Sequence, residues 1–450
     1  MPVTAPDSIV AIASPVGRGA VGIVRVSGTE VPRIATAMLG ELPAPRLATL
    51  CRFLDADGSS LDEGLALYFP APASFTGEHV LELQGHGGAV VLDRLLRRLL
   101  DLGCRMARPG EFSERAFLNG KMDVAQAEAV ADLIDASSAA AAKAAVRSMQ
   151  GEFSARVAQL QLQLTGLRIH VEAAIDFPDE ELDFLGDEAL NGRLAEVFAG
   201  FDSITAAARQ GALLREGFNV VIAGRPNAGK SSLLNRLAGG EVAIVTNLPG
   251  TTRDLLRQQV HLGGLSINLV DTAGLRAAAD VVEAEGIRRA KDEMQRADRV
   301  IYVVDASLAN ENTPGILAAE LARLPQGIPV TLIFNKIDLT DITPHAEAGR
   351  LYLSAATGAG FDLLREHLQS SAGYQALESG ALSARRRHLD ALSKARDHVQ
   401  SAAAALRTDK AIELFAEDLR LAQRSLGEIT GEFSSDDLLG EIFGSFCIGK

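Results

Sequence analysis

Near the middle of the chain, the apolar run Asn219 to Ala223 gives way at once to Gly224-Arg225-Pro226-Asn227-Ala228-Gly229-Lys230-Ser231. Two glycines followed by lysine and a hydroxyl residue form a phosphate-binding loop pattern, which obliges a strand to end and a helix to begin inside it. The glycines let backbone N–H groups curl around phosphate oxygens, Lys230 adds a point charge near the outer phosphates, and Ser231 can ligate magnesium at the helix start. Asn227, Ala228, Gly229 and Ser232 share that cradle, and Ser232 to Ala238 continues it as a helix. A glycine-rich turn without a ligand is the plainer alternative, but strand, loop and helix all agree with the phosphate reading.

From Phe218 to Ser370, strand-like runs (Asn219 to Ala223, Ile267 to Val270, Val300 to Val304, Val330 to Phe334) alternate with helix-length stretches. That alternation predicts a parallel sheet wrapped by helices. Asp271-Thr272-Ala273-Gly274 follows the second of these runs, where the carboxylate can hold the magnesium shell and a glycine N–H can sense the terminal phosphate. Asn335-Lys336-Ile337-Asp338 follows the fourth. There Asp338 can accept both N–H donors of guanine's edge, Asn335 and the Lys336 stem can frame the base, and Ser354-Ala355 can offer a backbone N–H to the guanine oxygen. The set selects GTP and resembles the GTPases of the Ras-like superclass. Many of these place a water-orienting glutamine right after Asp-x-x-Gly, but here Leu275 stands there and has no hydrogen-bonding atom.

At 450 residues the chain exceeds a single core, which predicts two to four domains. Prolines crowd the first 110 residues among short β-branched runs such as Val21 to Val26, predicting a mixed α/β segment. Gly110 to Phe177 lacks proline and is rich in alanine, leucine, glutamine and charge, and Ala381 to Lys450 repeats that pattern. Both predict long helices. The simplest arrangement inserts the α/β nucleotide domain into a split helical domain. No apolar run approaches a membrane span, and Met1 to Val10 lacks a signal-peptide pattern, so the cytoplasm is expected. Three scattered cysteines, Cys51, Cys104 and Cys447, fit a reducing compartment. A net charge of −14 argues against general nucleic-acid binding and leaves room for a local basic patch.

Gly250-Thr251-Thr252-Arg253-Asp254, Asn227 within the phosphate loop and the apolar Leu275 resemble one bacterial branch, the MnmE (TrmE) family of tRNA modification GTPases. Ser74-Phe75-Thr76-Gly77-Glu78, Leu81 to Gly88, Arg108 to Ser113 and the terminal Cys447-Ile448-Gly449-Lys450 resemble that family's ends. The resemblance implies an amino-terminal folate-binding and dimerisation domain over 1–120, a helical domain over 121–215 and 373–450, and a Ras-like P-loop GTPase domain over 216–372. It implies that Thr246, Asn247, Leu248, Pro249, Gly250, Thr251 and Thr252 join the GTP site. Thr252 would join Ser231 on magnesium, while Asn227, Thr246, Thr251 and the Leu248 carbonyl surround potassium, which takes the place of an arginine finger. Glu283 would be the catalytic acid that orients water through a bridging water. Arg25, Glu82, Lys121 and Lys450 would contact 5-formyltetrahydrofolate or a related reduced folate, with Cys447 a candidate for the chemistry. The implied reaction, driven with an FAD-dependent MnmG partner in a heterotetramer or larger complex, adds an aminomethyl or carboxymethylaminomethyl group to carbon five of the wobble uridine of certain tRNAs.

Taken alone, several of these residues have plainer readings. Glu283 reads as a solvated glutamate at a helix start, beside the confusable Glu285, and Cys447 as a buried, unreactive thiol. His86 between glycines reads as a hydrogen-bonded turn residue. Arg385-Arg386-Arg387-His388, with Lys394 and Arg396, reads first as a solvated helix face and second as an RNA-binding patch. The competing function is a regulatory potassium-dependent GTPase of ribosome assembly, which would not be expected to carry the folate-type segments or the Cys-Ile-Gly-Lys end.

Overall fold

The computed structural model describes residues 7–15, 17–176, 188–239, 257–271, 295, 297–309, 313–374, 380–408, 412–433 and 436–449. The chain divides into two units, one of residues 1–134, 146–204 and 390–450, the other of 135–145 and 205–389.

The first unit begins with strands β1 (Ile9–Ile12), β2 (Val21–Ser27), β3 (Thr49–Leu54), β4 (Ser60–Phe69), β5 (Val80–His86) and β6 (Arg105–Met106). They form one six-stranded sheet in the order β3-β4-β5-β2-β1-β6. All neighbours are antiparallel except β1 and β6. Strict alternation in β2 buries Gly22, Val24 and Val26 on one face. Helix Ala89–Asp101 turns Leu92, Leu95 and Leu99 toward the core at helical spacing. A Cβ on Gly22 would run into the Leu92 side chain, which would have to shift.

The helical part of this unit shows a seam period. Helix Glu152–Asp176 buries Phe153, Val157, Leu160, Leu164, Leu167 and Val171, and helix Ile412–Thr430 buries Phe415, Leu419, Ala422, Leu426 and Ile429. Spacings of four and three residues are those of coiled-coil-like packing, and truncating one such leucine to alanine costs about 2–5 kcal/mol. Gln423 fixes the pairing of the two helices, donating to Thr165 Oγ1 at 2.6 Å and accepting from Arg168 at 2.6 Å.

The second unit holds strands β7 (Phe218–Gly224), β8 (Arg257–Leu262), β9 (Leu265–Asp271), β10 (Arg299–Asp305), β11 (Val330–Asn335), β12 (His345–Glu347) and β13 (Arg350–Tyr352). Their order is β12-β13-β11-β10-β7-β9-β8, parallel from β13 to β9 with antiparallel edges. Consecutive apolar burial across Val220, Val221, Ile222 and Ala223 reflects a strand covered on both faces. The chain runs from β7 to β9 on one side and later to β10 on the other. The carboxyl end of β7 is therefore a topological switch point, where open α/β sheets bind ligands. Each expected strand is present, extended by one to three residues, and the helix after the phosphate loop starts at Lys230, ahead of Ser232.

Among the described residues no helix is long and apolar enough to cross a membrane. The basic run does not form a uniformly solvated face. Helix Arg386–Thr408 begins within it, and His388 is buried, its Nδ1 accepting from the Arg385 N–H at 3.1 Å. Arg396 pairs with Asp202 at 2.8 Å.

Candidate functional site

At the end of β7 the backbone bends through Gly224 (φ 139°), Asn227 (φ 63°) and Gly229 (φ 94°). A Cβ on Gly224 would strike the Val303 carbonyl, and one on Gly229 would strike the Asn335 side chain. Both glycines are thus required by close approach as well as by backbone conformation. Asn227 is an L-residue in the left-handed region, a conformation that costs free energy and gathers at functional loops. Lys230 is buried and its Nζ donates to the carbonyls of Gly224 at 3.0 Å and Arg225 at 2.7 Å. Its head is thereby placed over the first turn of the loop, while Ser231 and Ser232 are exposed at the helix start.

Asn335 ties two loops together. Its Nδ2 donates to the Ala228 carbonyl at 2.9 Å, and its Oδ1 accepts from the Ala355 N–H at 2.8 Å. With Asn335 buried, these bonds fix the phosphate loop against the Ser354-Ala355 loop. Asp338 is exposed, and one of its carboxylate oxygens accepts from Ser354 Oγ at 2.5 Å. Lys336 has left-handed backbone (φ 67°) and its ammonium pairs with Asp305 at 2.5 Å. Asp271 ends β9, opposite Ile222 in the parallel register, beside the start of the loop. The structure thus gathers Asn227, Ala228, Gly229, Lys230, Asn335, Lys336, Asp338, Ser354 and Ala355 at one sheet edge. Thr246, Asn247, Leu248, Pro249, Gly250, Thr251, Thr252, Thr272, Ala273, Gly274 and Glu283 lie outside the described residues, as does the Asp271 side chain.

A second polar site lies on the six-stranded sheet of the first unit. Arg25 and Glu82 are directly opposite on β2 and β5, joined through Nε at 2.9 Å and Nη2 at 2.8 Å. The guanidinium also lies 5.8 Å from the ring centres of Phe75 and Phe112 and donates to the Gly449 carbonyl at 3.4 Å. The carboxy-terminal segment reaches this point because Phe443 and Phe446 are buried with Val124, Ala127 and Ile442. Gly110 N–H then donates to the Cys447 carbonyl at 3.3 Å, and Gly110 (φ 68°) has no room for a Cβ against the Phe443 carbonyl. Cys447 is exposed, which overturns the reading of a buried thiol. Lys121 donates to the Pro72 carbonyl at 3.2 Å, and Lys450 lies outside the described residues. His86 is hydrogen-bonded but is not a turn residue: it ends β5 opposite Val21, its backbone N–H donating to Asp62 at 2.8 Å and its Nδ1 2.8 Å from the same carboxylate.

The same unit holds a charge cluster for which no local pattern gives a signal. Glu111, only 3% exposed in its side chain, meets Arg105 at 2.7 Å, Arg115 at 3.2 Å and the Arg108 N–H at 2.8 Å. Arg115 continues to Glu78 at 3.0 Å and Asp7 at 2.9 Å. Burial opposes ionisation of Glu111, but the Arg105 hydrogen bond and charge and the Arg108 N–H outweigh it and hold the carboxyl below its ordinary value.

The strand order, the loop at the switch point and the Asn335 bridge together make the second unit a P-loop GTPase fold. The model of the MnmE helical domain matches residues 124–447, and that of the GTP-binding protein TrmE N-terminus matches 8–121. The chain is 58% identical over 453 residues to the tRNA modification GTPase MnmE of Yersinia pseudotuberculosis serotype O:1b (strain IP 31758), covering 99% of both chains. It is 58% identical over 450 residues to the MnmE of Yersinia pestis bv. Antiqua (strain Angola), again covering 99% of both. Similar solved structures include the G domain of the FeoB iron transporter of T. maritima (30% identity, 34% of this chain, 98% of that chain, TM-score 0.26). An Era variant of Aquifex aeolicus bound to GDP.AlF4- is also similar (25% identity, 41% of this chain, 67% of that chain, TM-score 0.27). The chain belongs to the MnmE (TrmE) family of tRNA modification GTPases.

Proposed function

We propose that this chain hydrolyses GTP and uses the cycle to drive addition of an aminomethyl or carboxymethylaminomethyl group to carbon five of the wobble uridine in certain tRNAs. The observation that carries the reading is the Asn335 bridge. One buried side chain joins the loop that would hold phosphates to the loop that would hold guanine, so both ends of a guanine nucleotide meet a single preset frame. Ser231 and Thr252 would hold magnesium, which offsets charge on the phosphates when bound. Asn227, Thr246, Leu248 and Thr251 would hold potassium, and Glu283 would orient the attacking water. Asn227, exposed in the phosphate loop with left-handed backbone (φ 63°), would offer its side-chain oxygen to that ion.

The proposed division is 1–120 for folate binding and dimerisation, 121–215 and 373–450 for the helical domain, and 216–372 for GTP. Arg25 and Glu82, with Lys121 and Lys450, are the folate contacts. A charged, cross-strand pair whose guanidinium lies near two aromatic rings suits a flat ring with polar edges, and the nearby carboxy-terminal segment would bring Cys447 to it. The homodimer works in the cytoplasm with a flavin-containing MnmG partner, which supplies the hydride chemistry, and with tRNA as the shared substrate.

Glu283→Ala tests the hydrolytic assignment: it should bind GTP as the parent does and lose about a hundredfold in single-turnover rate. Equal rates, or loss in Glu285→Ala instead, would reject it. Nucleoside analysis of tRNA from a strain lacking the protein tests the modification, which should disappear from the wobble position.

A further inference from the structure

Asp305 stands at the carboxyl end of β10, directly opposite Asn335 in the parallel register, and Lys336 is the first residue past the end of β11. Its two carboxylate oxygens have separate tasks. Oδ1 accepts from the N–H of Ser307 at 3.0 Å and from its Oγ at 2.6 Å, which starts the short turn Ala306–Leu308. Oδ2 takes the Lys336 ammonium at 2.5 Å. With the first oxygen pinned to its own backbone, the second cannot follow a wandering lysine, so the lysine is the partner that is oriented. The Asp305 side chain is 12% exposed and that of Lys336 30%, a setting in which an ion pair is screened less than on the open surface. Burial opposes the Asp305 charge, but the bonds from Lys336 and Ser307 outweigh it and hold the carboxyl below its ordinary value.

Lys336 also has backbone angles of φ 67° and ψ 34°, which an L-residue holds only when its surroundings impose them. Its backbone is constrained by Asn335 on one side and its head by Asp305 on the other. The methylene stem between them has little freedom left.

We propose that Asp305 is a positioning residue for guanine nucleotide binding, which it serves by drawing the Lys336 ammonium to the end of β10 so that the lysine stem lies along the base. The inference rests on the GTP reading of the site and adds a residue outside the phosphate and guanine motifs. Because the stem meets the flat of the ring and not its edge, Asp305 strengthens guanine and hypoxanthine nucleotides alike, whereas Asp338 reads the edge and separates them.

The test is a double-mutant cycle in the full chain, with GDP and IDP affinities measured by calorimetry and folding followed by thermal melting. Asp305→Asn keeps the size and the Ser307 bonds but loses the charge. It should weaken GDP and IDP by the same factor, about tenfold, raise KM for GTP similarly, and leave kcat within about twofold. Lys336→Met keeps the stem and removes the ammonium, and Asp305→Asn made on that background should cost less than about twofold more. Unchanged GDP affinity in Asp305→Asn would overturn the inference, as would a full tenfold loss on the Lys336→Met background, which would place its effect in the Ala306–Leu308 turn. Should Asp305→Asn melt far below the parent, Asp305→Glu decides: recovered affinity supports a charge requirement, and continued loss in a stably folded Asp305→Glu rejects it. Failure of the parent itself to bind GDP would reject the GTP reading and is seen in the first titration.

Discussion

The two sheets place their polar groups in opposite ways. In the seven-stranded sheet the candidate groups sit at or just past the carboxyl ends of parallel strands, next to loops whose shape is set by backbone contacts and by Asn335. In the six-stranded sheet the central pair, Arg25 with Glu82, lies on the face of two antiparallel strands, held by register and by contacts of the guanidinium with Phe75, Phe112 and the Gly449 carbonyl. Strand ends give a site freedom to wrap around an extended ligand such as a nucleotide. A sheet face gives it a flat floor with fixed spacing, suited to a planar ligand covered by a separate segment. The first kind should therefore fail through loop geometry or loss of an edge-reading group, and the second through loss of the cross-strand pair or of the covering tail.

The largest effect should come from the strand-end site. Asp338→Asn exchanges a group that accepts twice for one that accepts and donates, so GTP affinity should fall by about a hundredfold or more while XTP gains. Competition of GDP and XDP against a labelled guanine nucleotide measures it, and an unchanged preference would detach Asp338 from base recognition. Folding of the first unit should not alter.

Next is the charge cluster. Glu111→Gln leaves Arg105 and Arg115 short of a buried counter-charge and should destabilise the first unit by about 2–4 kcal/mol. The nucleotide site would keep its affinity. Because the Glu111 carboxyl is held below its ordinary value, its contribution is complete above the ordinary glutamate range and fades as pH falls through the lowered value. Acid unfolding of the first unit should thus shift to higher pH in Glu111→Gln, as read by circular dichroism, and an unmoved acid transition would contradict the cluster's role.

A smaller effect separates the two sites directly. Arg25→Ala should weaken a reduced folate about tenfold, with GTP hydrolysis in the same preparation unchanged. Simultaneous loss of both would show that the two sites are not independent. The least perturbing measurement is thiol labelling. Cys447 is exposed, whereas burial pushes the Cys104 thiol up to about 11. At pH 8 only about one Cys104 in a thousand would be thiolate, so alkylation should modify Cys447 well before Cys104.

These contrasts also explain what could be read from the amino-acid order. The strand-end site is legible because each loop carries its own short motif, and parallel strands bring those loops to one edge automatically. Even so, the Asn335 bridge to Ala228 joins positions 107 apart and is not visible in either motif. The sheet-face site is legible only through family resemblance. Arg25 and Glu82 are 57 residues apart, Arg25 and Gly449 424 apart, and each looks ordinary in its own strand or tail. Glu111 was hidden for a similar reason: a glutamate in the first turn of a helix looks solvated until Arg105 and Arg115 close over it. His388 inverted the expectation from its run of cations because the helix starts inside that run and turns the imidazole inward.

The central claim is that the frame at the end of β7 selects and turns over a guanine nucleotide. Its most direct test is hydrolysis by the full chain of GTP and ATP, each at matched concentration, in potassium and in sodium salts of equal ionic strength. GTP should be hydrolysed, faster in potassium, with ATP left at background and unable to compete at a large excess. Comparable turnover of ATP, or no GTP turnover in either salt, would contradict the account.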